Sequence, residues 1–491
     1  MEFRLHRLFP VCAQSVTDLN STVKFITRHT AWILIAWFTI PKALATITIT
    51  DPGQNVFDFT ADAAELSGLA WVAGTAYAAI SDQASSRKVC QLNIALNLVN
   101  GRITSASLTA SNLLSTGYDL EGIAYCPPRG TWFISDEGQH PAGGFIREHT
   151  LPDGNLVQSL AVPTVMMNDR SNFGFESCTW GAGALWTANE EALTQESALS
   201  TASVGSLVRL QKFNHQLTAA GQWVYPTDSY GFDSSFTPAE RSGVSDLLVL
   251  PDGSLLVLER TLGIAFVPSF RNRIYLVNFG GATDVSNIPD LDGASYTPVT
   301  KTLLWEKNMG SISTRNFEGI ALGPALPQLG TTSYSVLLVA DNGGGTQQHL
   351  YALVIHGVVA PPPLAQWRLD HWGTTNNSGP AANGADPDAD GLRNLLEYAM
   401  ARNPTSGGAA GATTFRNTPT KAGLHFTLTT RAPDVLVRME KSITGLQAKD
   451  WTTEGILETR TTVGDIITVD AWVADPATLD RLFLRLSATE Q

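Results

Sequence analysis

The chain has 491 residues, 43% apolar and only 16% charged, with a formal net charge of −13 at pH 7 and a pI near 5.1. Its 42 glycines and 25 prolines are close to average shares, which excludes collagen-like and wholly disordered classes. No dense Lys/Arg run offsets the acidic balance, so nucleic acid is excluded as a ligand, and the length alone predicts about two to four domains.

The N-terminus reads as a leader. Lys24 to Arg28 supply positive charge, the run AWILIAWFTI from Ala31 to Ile40 is apolar, and Ala43-Leu44-Ala45 fits the small-x-small cleavage rule. A span needs ~20 apolar residues, so this run predicts a cleaved signal peptide (1–45), a secreted product and no stable membrane span afterwards. Residues 1–22 precede the usual layout, and a true start at Val23 is expected. Beyond the leader lie Cys90, Cys126 and Cys178, an odd number for an oxidising compartment. Either one bridge forms, with Cys126 and Cys178 the candidates, or the thiols are free and buried.

From residue 46 to 357 one short pattern recurs five times: Ser67-Gly68-Leu69-Ala70-Trp71, Glu121-Gly122-Ile123-Ala124-Tyr125, Glu176-Ser177-Cys178-Thr179-Trp180, Ser245-Asp246-Leu247-Leu248-Val249 and Glu318-Gly319-Ile320-Ala321-Leu322. A turn and a second apolar strand follow each, ending in Ser81-Asp82, Asp136-Glu137, Glu190-Glu191, Glu259-Arg260 and Asp341-Asn342. Short antiparallel strands at this period predict an all-β fold, a β-propeller. Five units suggest five blades, or six if the interval from Arg260 to Asn316 hides another. Ala45–Thr50 alternates like a strand and is expected to complete the last blade.

In a propeller the first strand starts, and the second ends, at the same channel mouth. The repeat therefore predicts a gathering of Glu121, Asp136, Glu137, Glu176, Glu190, Glu259 and Glu318 as candidate catalytic groups with Arg260, and of Asp246, Asp341 and Asn342 as metal ligands. Clustered carboxylates repel and call for a hard cation, Ca²⁺ outside the cell. Arg260 reads equally as a partner of Glu259 or as an anion clamp. Asn172 and Asn316 read as turn formers, with additional ligands the alternative, and His140 and His349 as polar loop residues, with acid/base groups the alternative. No G-x-S-x-G, H-E-x-x-H or phosphate-loop motif is present.

The pieces DLEGIAY, FISDEG, NFGFESCTW, GVSDLLVLPDGSLLVLER, NFEGIAL and LLVADN resemble the phytase-like family, described by esterase-like phytase activity, over roughly residues 60–357. The resemblance implies a secreted propeller acting on a small phosphorylated substrate, with Glu121, Asp136, Glu176, Asp246, Glu259, Arg260, Glu318 and Asp341 on recurrent positions. Ser67 departs from that pattern.

Residues 358–363 read as a proline linker, 364–404 as a calcium-loop module, 405–414 as a Gly/Ala spacer, and 415–491 as a small β-sandwich-like module. Asp386, Asp388, Asp390 and Glu397 fit D-x-D-x-D-G-x5-E, with Gly391 at the sharp turn, which predicts Ca²⁺ binding of the single-loop, dockerin-like kind. Linker and spacer are expected to isolate this tail, which reads as an extracellular attachment module. The leading expectation is a calcium-dependent phosphoester hydrolase. The alternatives are a non-catalytic ligand- or partner-binding propeller and a lactonase-like hydrolase.

Overall fold

The computed structural model describes residues 46–491 apart from 62–64, 83–86, 139–142, 197, 230–240, 265–267, 310–315, 344, 409–411, 419, 475, 477–478 and 480. The leader, its cleavage site, the expected start at Val23 and His140 lie outside the described residues. No described helix is long and apolar enough to cross a membrane.

Two short strands, β1 (Thr48–Thr50) and β2 (Phe57–Thr60), open the described chain. The first sheet comprises β3 (Leu66–Ala73), β4 (Ala76–Ser81), β5 (Lys88–Leu96) and β6 (Ile103–Leu113). The second comprises β7 (Leu120–Cys126), β8 (Thr131–Asp136), β9 (Phe145–His149) and β10 (Leu156–Ser159). In the third are β11 (Thr179–Gly181), β12 (Ala184–Ala188), β13 (Leu207–Phe213) and β14 (Ala219–Pro226). The fourth holds β15 (Arg241–Val249), β16 (Leu255–Ile264), β17 (Pro268–Asn278) and β18 (Thr300–Met309). The fifth is β19 (Asn316–Ala325), β20 (Tyr334–Asp341) and β21 (Gln347–His356), completed by β1 and β2 from the other end of the chain.

Each sheet is an antiparallel meander, and the inner strands β3, β7, β11, β15 and β19 neighbour one another in a closed ring. The fold is a β-propeller. The interval between Arg260 and Asn316 supplies β17, β18 and a connecting loop of the fourth sheet. Second strands such as β20 (YSVLLVAD) are apolar on both faces because each sheet is packed between two others. One buried cluster lies at each junction: Leu69 with Val339, Ala78 with Ile134, Phe133 with Leu185, Trp186 with Val257, and Leu258 with Leu338.

The expected strand at Ala45–Thr50 is β1, which pairs with β21 through Thr48↔His356 and Thr50↔Val354. A second strand, β2, not foreseen, also pairs with β21, through Phe57↔Leu350 and Thr60↔Gln347. All three cysteines are buried and free, so the bridge between Cys126 and Cys178 does not form.

The tail departs from expectation. Pro363 is not linker but the first residue of a helix, α1 (Pro363–Trp372), where a proline costs no hydrogen bond. The helix ends at Gly373 in the left-handed region and lies against the propeller: a Cβ on Gly183 would fall 2.0 Å from the Leu369 carbonyl oxygen. Asn403 Nδ2 also donates to Pro128 O at 3.4 Å. The tail is therefore docked on the propeller, not isolated from it. A second helix, α2 (Asn394–Ala399), follows. The remaining strands are β22 (Thr413–Thr418), β23 (Lys421–Thr429), β24 (Val435–Ser442), β25 (Ile456–Val463), β26 (Ile466–Ala474) and β27 (Phe483–Glu490). They form a four-stranded sheet, β22-β23-β26-β25, and the pair β24-β27, around a core shared with Leu364 of α1 and Tyr398 of α2.

Candidate active site at the channel mouth

The repeated motif has a backbone reason. Strand register slips between Leu66 and Leu69, Leu120 and Ile123, Val244 and Asp246, and Phe317 and Gly319. A bulge at the same place in successive inner strands re-aims the first motif residue toward the axis. The second residue is then pressed against the next inner strand. A Cβ on Gly68 would lie 2.5 Å from Glu121 O, one on Gly122 2.5 Å from Cys178 N, and one on Gly319 2.8 Å from Ser67 O. These glycines make a narrow waist, with acids on one side of it.

On that side the structure gathers Glu121, Glu137, Glu176, Glu190, Glu318 and Asp341 from the predicted set. Ligand atoms of Asp119, Glu121 and Glu137 lie within 4.8 Å of one another, and so do those of Asp82, Glu318 and Asp341. Arg260 stands among them. Its Nη2 donates to Glu190 Oε1 at 2.5 Å and its Nη1 to Asn316 Oδ1 at 2.9 Å and to Glu318 Oε1. Burial lowers the guanidinium pKa, but the surrounding carboxylates Glu190, Glu318 and Glu176 outweigh it and hold the charge on.

One cation does not balance this many acids, and their proton affinities rise. Burial first, then neighbouring charge, pushes Asp82 up to about 9 and Glu137 up to about 8. Glu121 is driven well above the carboxylate range by burial and then by Asp82 and Glu137, and Glu176 by burial and then by Glu121 and Glu190. Glu318 reaches about 7, with Arg260 pulling the other way. Glu318 Oε2 and Asp82 Oδ1 are buried without a hydrogen-bond partner. Two orphaned carboxylate oxygens in the Asp82, Glu318 and Asp341 triad, with a second close triad of acids beside it, fit a hard, oxygen-seeking cation such as Ca²⁺.

Other predicted residues are placed elsewhere. Asp136 is a brace: it pairs with Arg147 and accepts from the amides of Tyr118, Asp119 and Gly138 at 2.8 to 3.1 Å. Glu259 is not beside Arg260's charge; strand alternation sends it outward to Tyr225 Oη at 2.6 Å and Lys301 Nζ at 2.5 Å. Asp246 occupies the waist position that glycine fills in other sheets, so its carboxylate accepts from the amides of Leu247 and Ile320 at 2.8 Å. Asn342 braces its turn, accepting from Glu65 N and donating to Gly345 O. His349 pairs with Asp58 at the outer edge of the fifth sheet.

Three mouth residues were missed. Asp82 was legible, since it follows a second strand much as Asp136 ends one; Asp119 opens the DLEGIAY piece but lies outside the five-fold repeat. Asn316, read as a turn former, donates to Glu318 Oε1 at 2.6 Å and holds Arg260. Asn172 is indeed in a turn, with φ of 63°.

In the tail, Asp386, Asp388 and Asp390 bring ligand atoms within 4.8 Å of one another. Both Glu397 carboxylate oxygens, Asp386 Oδ1 and Asp388 Oδ2 are buried without a partner. Burial and the three aspartates push Glu397 up to about 8. Gly391 takes φ of 95°, which the turn requires. This donor set also fits Ca²⁺.

No curated protein sequence matches the chain. Among solved structures it is similar to a Bacteroides vulgatus protein (7% identity, 64% of this chain and 99% of that one, TM-score 0.33). It is also similar to a Thermus thermophilus putative oxidoreductase, described as a glucose dehydrogenase (12%, 61% and 100%, TM-score 0.30), and to the Dos1 propeller (8%, 58% and 67%, TM-score 0.26). Residues 62–344, more than half of the chain, match one family, and the chain belongs to it: Phytase-like, described as "Esterase-like activity of phytase".

Proposed function

We propose that the chain is a secreted, calcium-dependent phosphomonoester hydrolase working at the acidic channel mouth. The observation that carries this reading is the pair of carboxylate triads around Arg260. Asp82, Glu318 and Asp341 would hold one Ca²⁺, and Asp119, Glu121 and Glu137 a second. Bound there, the metal supplies charge neutralisation of the phosphate and a more acidic water.

The chain's own groups do the rest. Arg260 presents two N–H edges to phosphate oxygens, the fork that suits a tetrahedral anion. Glu176, kept protonated by burial and by Glu121 and Glu190, hands its proton to the leaving alkoxide. A neighbouring carboxylate, Glu190, accepts the proton of the attacking water. The tail, with Ca²⁺ in the Asp386–Glu397 loop, serves as an extracellular attachment module.

A second reading, a propeller that binds its ligand without turnover, draws on Arg260 already being paired on both terminal nitrogens, so that an anion must displace Glu190 or Glu318. One experiment separates the two: phosphate release from phytate and simple phosphomonoesters, with Ca²⁺ and then with chelator. Hydrolysis that the chelator abolishes supports the first reading. Saturable binding without release would replace it with the second.

A further inference from the structure

On the far side of the waist from the acids, the channel opens into a chamber that hydrolysis at the mouth does not use. Its volume is about 310 Å³, and its walls are the later halves of the inner strands, with Trp71, Tyr125, Trp180, Val249 and Leu322 among them. Such a volume falls at the lower end of the ~300–1,000 Å³ range of small-molecule pockets. The end is covered by α1, which contributes Gln366 and Asp370 to the lining.

The polar groups at that end are unfinished. Gln366 Nε2 donates to Asp370 Oδ1 at 2.8 Å, which leaves Gln366 Oε1 buried with no donor. Asp370 has no other described hydrogen bond, and burial pushes its carboxyl up to about 7. No described cation forms an ion pair with it. A carboxyl and an amide oxygen that both need donors, at the end of an apolar, aromatic-lined chamber, define a complementary ligand. It carries N–H donors and positive charge at one end and an apolar body at the other. Aromatic faces such as those of Tyr125 and Trp180 add favourable cation–π contact.

We propose that this chamber binds a small organic ammonium ion, its N–H groups on Asp370 and Gln366 Oε1 and its apolar body among Tyr125, Trp180 and Val249, with α1 as the lid. The site is separate from the acidic mouth and does not depend on its chemistry.

The test is calorimetric titration of the mature full-length chain with 2-phenylethylammonium and with its neutral counterpart 2-phenylethanol. A hydrogen-bonded charge contributes about 1.5–3 kcal/mol, so Asp370→Asn should weaken the ammonium at least about tenfold and leave the alcohol nearly unchanged. The substitution keeps shape, and the new amide oxygen can still accept from Gln366 Nε2, so the melting temperature should hold. Glu121→Gln, at the other end of the channel, should leave ammonium affinity intact. Absence of saturable binding, equal affinity in Asp370→Asn, or loss of affinity in Glu121→Gln would each overturn the proposal.

Discussion

Arg260, on the second strand of the fourth sheet, donates to Glu190 Oε1 of the third sheet at 2.5 Å, while its other terminal nitrogen reaches Asn316 and Glu318 of the fifth. One guanidinium thus ties three neighbouring sheets at the mouth. Removing one partner of a largely buried pair strands the others, at a cost of about 3–5 kcal/mol. Arg260→Ala should lower urea-denaturation stability by that order in metal-free protein, and Arg260→Lys, which keeps charge without the fork, by less. Unchanged stability in Arg260→Ala would show that the pairs contribute nothing net.

Glu121→Gln with Glu318→Gln removes one acid from each triad while preserving shape. Phosphate release should fall by at least the ~10–100-fold lost when even a ligand's supporting partner is removed, because each change takes a proposed Ca²⁺ ligand. In metal-free protein the relief of like-charge repulsion opposes the loss of the Glu318 pair with Arg260, which keeps Glu190 and Asn316 as partners, and the Ca²⁺-induced rise in melting temperature should shrink. Turnover at the wild-type rate would remove both residues from the site.

The pH response has a definite sign. Asp82, Glu137 and Glu318 bind protons more tightly folded than unfolded, with folded values of about 9, 8 and 7. The folded state therefore gains from low pH: this contribution is complete below the unfolded carboxyl range near ~4 and is lost as pH rises through 7 to 9. Metal-free protein should melt progressively lower from pH 5 to pH 9. Added Ca²⁺ should restore most at the alkaline end. Thermal scans with chelator and with Ca²⁺ at each pH read this directly.

The waist predicts an intolerant glycine. In Gly122→Ala the new methyl would meet Cys178 N at 2.5 Å and Ser135 Oγ at 2.7 Å, so two inner strands must part. Overpacking of this kind costs about 1–3 kcal/mol. Gly384→Ala, where nothing lies within 4 Å, is the control and should be near neutral. Equal denaturation midpoints for the two variants would refute the tight waist.

Asp390 accepts from Leu392 N and Gly408 N at 2.8 Å, joining the loop to the spacer beyond it. Asp390→Ala should expose residues 384–400 to protease and abolish protection by Ca²⁺ there, with phosphate release unchanged because the mouth lies across the waist. Limited proteolysis followed by mass analysis is the readout.

The propeller was legible because its signal is repetition: a motif at the same strand position needs no single strong match. The site was only half legible. Glu121, Glu176 and Glu318 came from the repeat, but the fourth motif carries its acid one place later, and that one-residue shift turns Asp246 from the mouth into the waist. Alternation separated Glu259 from Arg260 in the same way. Asp136 looked like its fellow strand-end acids until Arg147 and three amides claimed it. Asp119 is not part of the five-fold repeat, and it reaches the site from the start of β7, one residue ahead of that strand. The tail was misjudged because prolines can begin a helix as readily as they can stiffen a linker.

The ring is stitched shut by β1 and β2 lying along β21, and a Cβ on Gly357 would fall 2.5 Å from Thr46 O. The two ends of the propeller therefore meet across a seam that carries hydrogen bonds but no peptide bond. A few-residue peptide could join them in a chain lacking the tail, and new ends could be opened in an outer loop between sheets. Such a permuted protein would keep the same ring of neighbours while moving the place where it is easiest to pry apart. Comparing its unfolding rate with that of the parent would measure how much of the propeller's endurance resides in the three residues of β1 and the four of β2.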